Sequence, residues 1–454
     1  MKKRSRAQTP QSTSPARVAK RAALPPGAAR SALLVTSTIG TAGLLVVTPA
    51  APADITFPLL VGGLVPLGAF VVLEHRDRVT SGRTVVGLAG ILLVLAVVEP
   101  PHGSGDVWSY AVYGRMLGQY HLSPYTHRPA QLVGDPALAR VAPGWRQTRS
   151  VYGPGFTMLS GLVMAAAGTS PLLARSAFQG LAAIALLSAA ALMLRHRVPP
   201  AALAAVVLNP LVVVGVVNGG HNDALVGLAV LSSGLALRRC RPAAAGLLLA
   251  AAILVKAVAL LPAVAAFVWV LRHHGRRPAA AFIAGGAAPV AAGYLAFGGL
   301  RAVGPVLAAA SQQSRASIWG LVPGGSPGVP GALLVVFVAT ALVAPRLRGQ
   351  SPVAALGAAL AAYLLVAAYV LPWYFAWALP LAALDPASPL SRLVGAQTVT
   401  TLIAYQYQAT RHPDALDHVL HASVAAARLF ALTAAVAVLL LALSGRTRMH
   451  EPAT

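Results

Sequence analysis

The stretch GSGDVWSYAVYGR, residues 103–115, places Asp106 among glycines and aromatics just after an apolar run that ends at Glu99. The chain holds only 11 Asp and Glu against 35 Lys and Arg, so a carboxylate there asks for a reason. Partial withdrawal from water makes a carboxylate hold its proton more tightly and suits it to general-base work. Capping a short surface helix over 106–117 is the plainer role. A second group, NGGHNDA at 218–224, crowds His221, Asn222 and Asp223 at a helix start. An imidazole, an amide and a carboxylate at such a place suit phosphate or sugar contacts, although Asp223 also reads as a cap and the glycines as a turn. Lys256 is a lone cation in a run of Ala, Val, Ile and Leu. It serves either as a snorkelling anchor or as the holder of a phosphate. In LPWYFAW, 371–377, Trp373 and Tyr374 stand at a helix end, as an aromatic belt or as a platform for stacking a sugar ring.

Other chemistries lack their residues. Cys240 is the one cysteine, which excludes intrachain disulfides and thiolate metal sites. His418 and His421 are three apart, without the carboxylate spacing of a zincin. No Walker loop occurs, nor a GxGxxG followed by a strand, so nucleotide-driven chemistry has no support.

The elements that must position these groups are membrane helices. Of 454 residues, 57% are hydrophobic and 10% charged, and apolar runs near the ~20 residues of a bilayer span recur along the chain. The fold class is therefore all-α and polytopic; the alternation of a transmembrane barrel is absent. The net charge of +24 falls mainly in short clusters between apolar runs, the positive-inside pattern, with no folded basic domain for nucleic acid.

Residues 1–30 read as a disordered basic cytoplasmic tail. From there 31–48 exits, 56–73 returns, and 84–99 exits again, which puts 100–152 outside. The first run ends near APA at 51–53, a signal-peptidase-like site, but exceeds the ~7–15 residues of a signal core, so the helix is expected to be retained. Setting RHR (195–197), RRCR (238–241), RHHGRR (272–277) and PRLR (345–348) inside makes 199–217 and 222–237 a hairpin with an external tip at 218–223. Two short helices, 243–256 and 258–271, lift Lys256 to the external surface. Spans at 172–194, 278–298, 329–344, 352–370, 372–384, 393–408 and 419–443 bring the total to about fourteen, with a range of 12–14. Residues 445–454 form a cytoplasmic tail, and 153–168 is left as a re-entrant or interfacial helix. One transmembrane domain, 31–444, thus carries an external loop over 100–170 with short surface helices. The threading gathers Asp106, His221, Asp223, Lys256, Trp373 and Tyr374 on one side of the membrane.

The ordered set GSGDVWSYAVYGRM, SPYTHRPAQL, SVYGPGF and LNPLVVVGVVNGGHNDALV resembles the actinobacterial polyprenol-phosphate-mannose-dependent α-1,6-mannosyltransferases (MptB-like) of the GT-C superfamily. The likeness is densest over 100–232 and continues more loosely through LPWYFAWALPL. It implies an inverting enzyme that moves mannose from a polyprenyl monophosphate to a mannan or lipoglycan acceptor on the outer face of the plasma membrane. It also implies Asp106 as catalytic base, with Lys256, His221 and Arg115 at the donor phosphate. Tyr110, Tyr113, Tyr152, Asn222, Asp223, Trp373 and Tyr374 would then line the substrates. No cofactor is implied. A lone Asp106, where many GT-C relatives carry two neighbouring carboxylates, gives little reason to require a metal. An α-1,2-mannosyl- or arabinofuranosyltransferase of the same superfamily would share these features. A lipid-linked sugar flippase would place polar groups at mid-membrane in repeated halves; here they gather on one face, without a repeat.

Overall fold

A computed structural model describes residues 26–47, 51–297, 299–309, 312–322, 327–349, 351–407 and 414–447. Among the described residues the regular structure is entirely helical. Seven helices are long and apolar enough to cross a membrane: Gly27–Val46, Ala53–Asp77, Pro171–Arg195, Ala257–His274, Arg276–Ala296, Gly328–Arg346 and Ala415–Ala442. Shorter apolar helices, Gly82–Val98, Pro154–Ala167, Pro242–Val255 and Pro352–Val366, fill the space between them. The protein is a polytopic membrane protein of the all-α class. The tail through residue 25 and the C-terminal residues from 448 lie outside the described residues, and the first helix begins at Pro26.

Two expected helices are broken. The run 199–217 divides at Asn209–Pro210 into Pro200–Val207 and a π-helical turn, Leu211–Asn218, bent by 43°. Pro210 has no N–H to donate and restricts the residue before it, so a continuous helix fails there. The run 372–384 is no membrane helix: it is a 3₁₀ segment, Pro372–Trp377, followed by the single turn Leu379–Ala382. Pro372 and Pro380 each open a short element, and the aromatic side chains between them are drawn into the protein instead of facing lipid.

Packing relies on small residues, as expected where lipid supplies no hydrophobic drive between helices. Gly114 of the helix Asp106–Gly118 lies so near Ser160 of Pro154–Ala167 that a Cβ would strike the Ser160 carbonyl. The segment 154–167, expected as a re-entrant or interfacial helix, packs on Asp106–Gly118 and on Pro242–Val255. At the other end of the molecule Arg30 reaches Glu74 at 3.3 Å and Asp77, joining the first two helices.

One polar lattice fixes the loop that carries Asp106. The Asn218 side chain donates to the carbonyls of Ala96 (3.0 Å) and Pro100 (2.9 Å), and its oxygen accepts from the His102 N–H (2.8 Å). Gln179 donates to Ala96 O (3.1 Å) and Asn218 O (2.8 Å), while Arg175 donates to Glu99 O (2.7 Å). The end of Gly82–Val98 is thereby bolted to the tip of the 218–223 hairpin.

Candidate active site

Asp106 is the first residue of its helix, and Gly105 occupies the cap without a side chain to cap with. The Asp106 N–H donates to Ser104 Oγ at 3.2 Å, so its carboxylate is not spent on capping. Tyr110 and Tyr113, four and seven residues on, share its helix face. The Tyr110 ring meets Tyr152 and Phe156 edge-on at 4.9 and 4.8 Å, and the Tyr152 hydroxyl lies 3.4 Å from Asp106 Oδ2. Tyr113 forms part of this aromatic wall and donates its hydroxyl proton to Thr148 O at 2.7 Å.

The hairpin tip turns through Gly220, whose φ of +63° is left-handed and whose Cβ would meet Val107. That turn suits glycine alone. It sets the fully buried His221 between two carboxylates, with Nδ1 3.4 Å from Asp106 Oδ2 and 3.8 Å from Asp223 Oδ2. The imidazole stacks on Trp373 at 4.0 Å. Asp223 also starts a helix without capping it. Its Oδ1 accepts from Lys256 Nζ at 2.8 Å and from Trp377 Nε1 at 2.6 Å.

Lys256 leaves the apolar run at a break in the chain. Its backbone is extended (φ −152°, ψ 123°) between Pro242–Val255 and the 3₁₀ turn Ala257–Ala259. The ammonium sits 4.1 Å from the Tyr374 ring centre and 5.2 Å from that of Trp377, within cation–π range. The expected snorkel to open surface is therefore corrected: the side chain is 14% exposed and ends on a buried carboxylate. Beside it the Gly153 N–H donates to Val255 O at 2.9 Å. Gly153 and Gly155 both lie against the Leu254 backbone, and a Cβ on Gly153 would collide with its carbonyl.

The electrostatics set the two carboxylates apart. Burial pushes the Asp106 carboxyl up to about 6; Lys256 pulls it back, and the Asp223 charge adds to the rise. Burial, aided by Lys256, holds the His221 imidazole well below its ordinary range, so it is neutral at pH 7. Both ring nitrogens of His221, both amide atoms of Asn222, Asp223 Oδ2 and the Tyr110 hydroxyl are buried without a hydrogen-bond partner. Unpaired buried polar atoms are costly, roughly 1–3 kcal/mol each, and six of them converge here.

The structure thus brings together Asp106, Tyr110, Tyr113, Tyr152, His221, Asn222, Asp223, Lys256, Trp373 and Tyr374. Arg115 is not among them. It faces away and pairs with Asp135 (Nε to Oδ2, 2.7 Å), also donating to Gly168 O at 3.1 Å. Trp377, Asn218 and Gln179 were missed by sequence reasoning. Trp377 stood in the LPWYFAW motif, Asn218 opened NGGHNDA, and Gln179 was a lone amide in an apolar helix.

Residues 19–273, more than half of the chain, match the family described as Alpha-(1->6)-mannopyranosyltransferase, N-terminal domain. A relative in Mycobacterium tuberculosis, Alpha-(1->6)-mannopyranosyltransferase A, is 31% identical over 364 residues, covering 71% of this chain and 68% of its own. The chain belongs to this MptA/MptB family. The protein of the same name in Corynebacterium glutamicum is 31% identical over 226 residues, 48% of this chain and 45% of its own. No solved structure matches. The family match contains Asp106, His221, Asp223 and Lys256, whereas Trp373, Tyr374 and Trp377 lie beyond it.

Proposed function

We propose that this protein is an inverting α-1,6-mannosyltransferase that uses a polyprenyl-phosphate-mannose donor and a mannan or lipoglycan acceptor at the outer face of the plasma membrane. The names of its relatives support the sugar and the linkage. The observation that carries the mechanism is Asp106: a carboxylate withdrawn from water, not engaged in capping, and 17% exposed beside His221. A base of this kind works best when its pKa lies just below the working pH.

Asp106 takes the proton of the acceptor hydroxyl as that oxygen forms its bond to the anomeric carbon of mannose. The bond from this carbon to the phosphate oxygen breaks on the opposite face, and its electron pair leaves with the polyprenyl phosphate. The anomeric configuration inverts, from β in the donor to α in the product. Phosphate monoester is a good leaving group and needs charge stabilisation more than a proton. Lys256 supplies it: one of its three N–H bonds goes to Asp223, which leaves two for phosphate. No metal has a necessary part in these steps. Neutral His221, stacked on Trp373, holds Asp106 and is a positioning residue. The aromatic wall of Tyr110, Tyr113 and Tyr152, the Asn222 amide, and Tyr374 with Trp373 border the space for sugar.

The test is a membrane assay with labelled polyprenyl-phosphate-mannose followed by linkage analysis. An α-1,6-extended product is expected. An α-1,2 product reassigns the linkage, and donor carried across the membrane without transfer replaces the enzyme by a transporter.

A further inference from the structure

The largest cavity described lies outside the carboxylate cluster. It is a cleft of about 630 Å³ between the external loop and the segment 301–312, lined on its polar side by Arg128, Arg149, Arg301, Gln147 and Gln312. The short helix Gly304–Ala309 closes it with Pro305, Ala308 and Ala309. Tyr125 forms its floor and donates its hydroxyl proton to Tyr152 O at 2.8 Å, while Thr148 on its rim accepts from Tyr113. The cleft and Asp106 therefore border opposite sides of the same aromatic wall.

Its charge is one-sided. Three guanidinium groups line it, no Asp or Glu does, and among the described residues none of the three is in an ion pair. Elsewhere in the loop arginine is committed: Arg115 to Asp135, Arg146 to the carbonyls of Val141 and Ala139, and Arg140 to the face of Trp108. Like charges gathered without a counter-charge repel, and an anion with several acceptor oxygens relieves that repulsion. Guanidinium forks match phosphate oxygens in geometry. The volume is that of an organic ligand, not of a bare ion, and the wall at 305–309 is apolar.

We propose that this cleft binds a phosphate ester carried on a lipid, with Arg128, Arg149 and Arg301 holding the phosphate and Gly304–Ala309 meeting the adjoining hydrocarbon. The site stands on its own geometry, whichever residues carry the transfer.

The test is a binding titration of the full-length protein in neutral detergent with farnesyl phosphate, farnesol and inorganic phosphate. Farnesyl phosphate is expected to bind saturably and more tightly than either other probe. Each Arg→Gln substitution at 128, 149 or 301 is expected to weaken it by roughly ten- to a hundredfold, the effect of one charge-assisted hydrogen bond, with partial recovery in Arg→Lys. Asp106→Asn is expected to leave it unchanged. Farnesyl phosphate affinity that falls in Lys256→Ala and ignores all three arginines overturns the site. Inorganic phosphate binding as tightly as farnesyl phosphate makes it a free-anion site and overturns the lipid part. Transfer by Asp106→Asn is scored separately, so failure of the base assignment is distinguishable from failure here.

Discussion

Two buried acids in the same external loop meet opposite fates. Asp135 is saturated: Arg115 and Tyr120 donate to Oδ2 at 2.7 and 2.8 Å, and the Ala137 N–H donates to Oδ1 at 2.8 Å. Across the helix Asp106–Gly118, the group around Asp106 leaves six buried polar atoms unpartnered. Polar groups that serve stability are paired off inside the protein. Groups kept for a substrate stay unsatisfied, and the fold bears the cost.

The largest effect that sharpens this contrast is expected at Asp106. Asp106→Asn should lower transfer by about 10²–10⁴-fold, the usual range for loss of a general base, with the protein still inserted in the membrane. Its thermal stability should rise at the same time. The raised pKa means that ionised Asp106 destabilises the fold at neutral pH, and a carboxyl raised to about 6 from 3.8 corresponds to roughly 3 kcal/mol at most. Near-normal turnover in a correctly inserted Asn variant removes Asp106 from the chemistry.

Asp135→Ala is the converse. Breaking a buried ion pair from one side costs about 3–5 kcal/mol, so the melting temperature should fall while turnover per folded molecule holds. Lost turnover with unchanged melting would erase the distinction between the two acids.

Sequence alone separates them only in part. Asp106, Asp223 and Lys256 were legible because an ionised group in a strongly apolar chain is rare. Arg115 was assigned to the wrong group although the pattern held the answer. Nine residues at about 100° each turn half a circle from Asp106, to the opposite helix face, whereas Tyr110 and Tyr113 return to the same side. The long helices were legible from hydropathy. The collapse of 372–384 into 3₁₀ turns was not, because hydropathy does not distinguish an apolar segment facing lipid from one folded against His221 and Lys256. The Asn218–Gln179 lattice depends on residues 39 apart in sequence, which no local pattern reveals.

Smaller effects follow. Lys256→Ala should raise the donor requirement by about ten- to a hundredfold, with Lys256→Arg retaining more activity, read by donor titration in equal amounts of membrane protein. Parent-like titration would return Lys256 to a purely structural pairing with Asp223. The acid limb of the rate profile should fall with an apparent pKa near 6, since Asp106 must be ionised to accept a proton and is protonated as pH drops through that value. A limb near 4 would mean a carboxyl in ordinary solvent. The smallest expected signal is none: exposed Cys240, placed in the cytoplasm together with both termini, should resist a membrane-impermeant maleimide in intact cells. Labelling there inverts the topology.

The contact between Gly153 and the 254–255 backbone joins the external loop to the peptide before Lys256. Tyr152 stands one residue to one side of that junction and Lys256 one residue to the other. A sugar that displaces the Tyr152 ring therefore drags on the chain bearing the ammonium, and room for the substrate and placement of the charge become a single mechanical event. A bulkier residue at 153 would uncouple them, leaving a loop that opens without telling the cation.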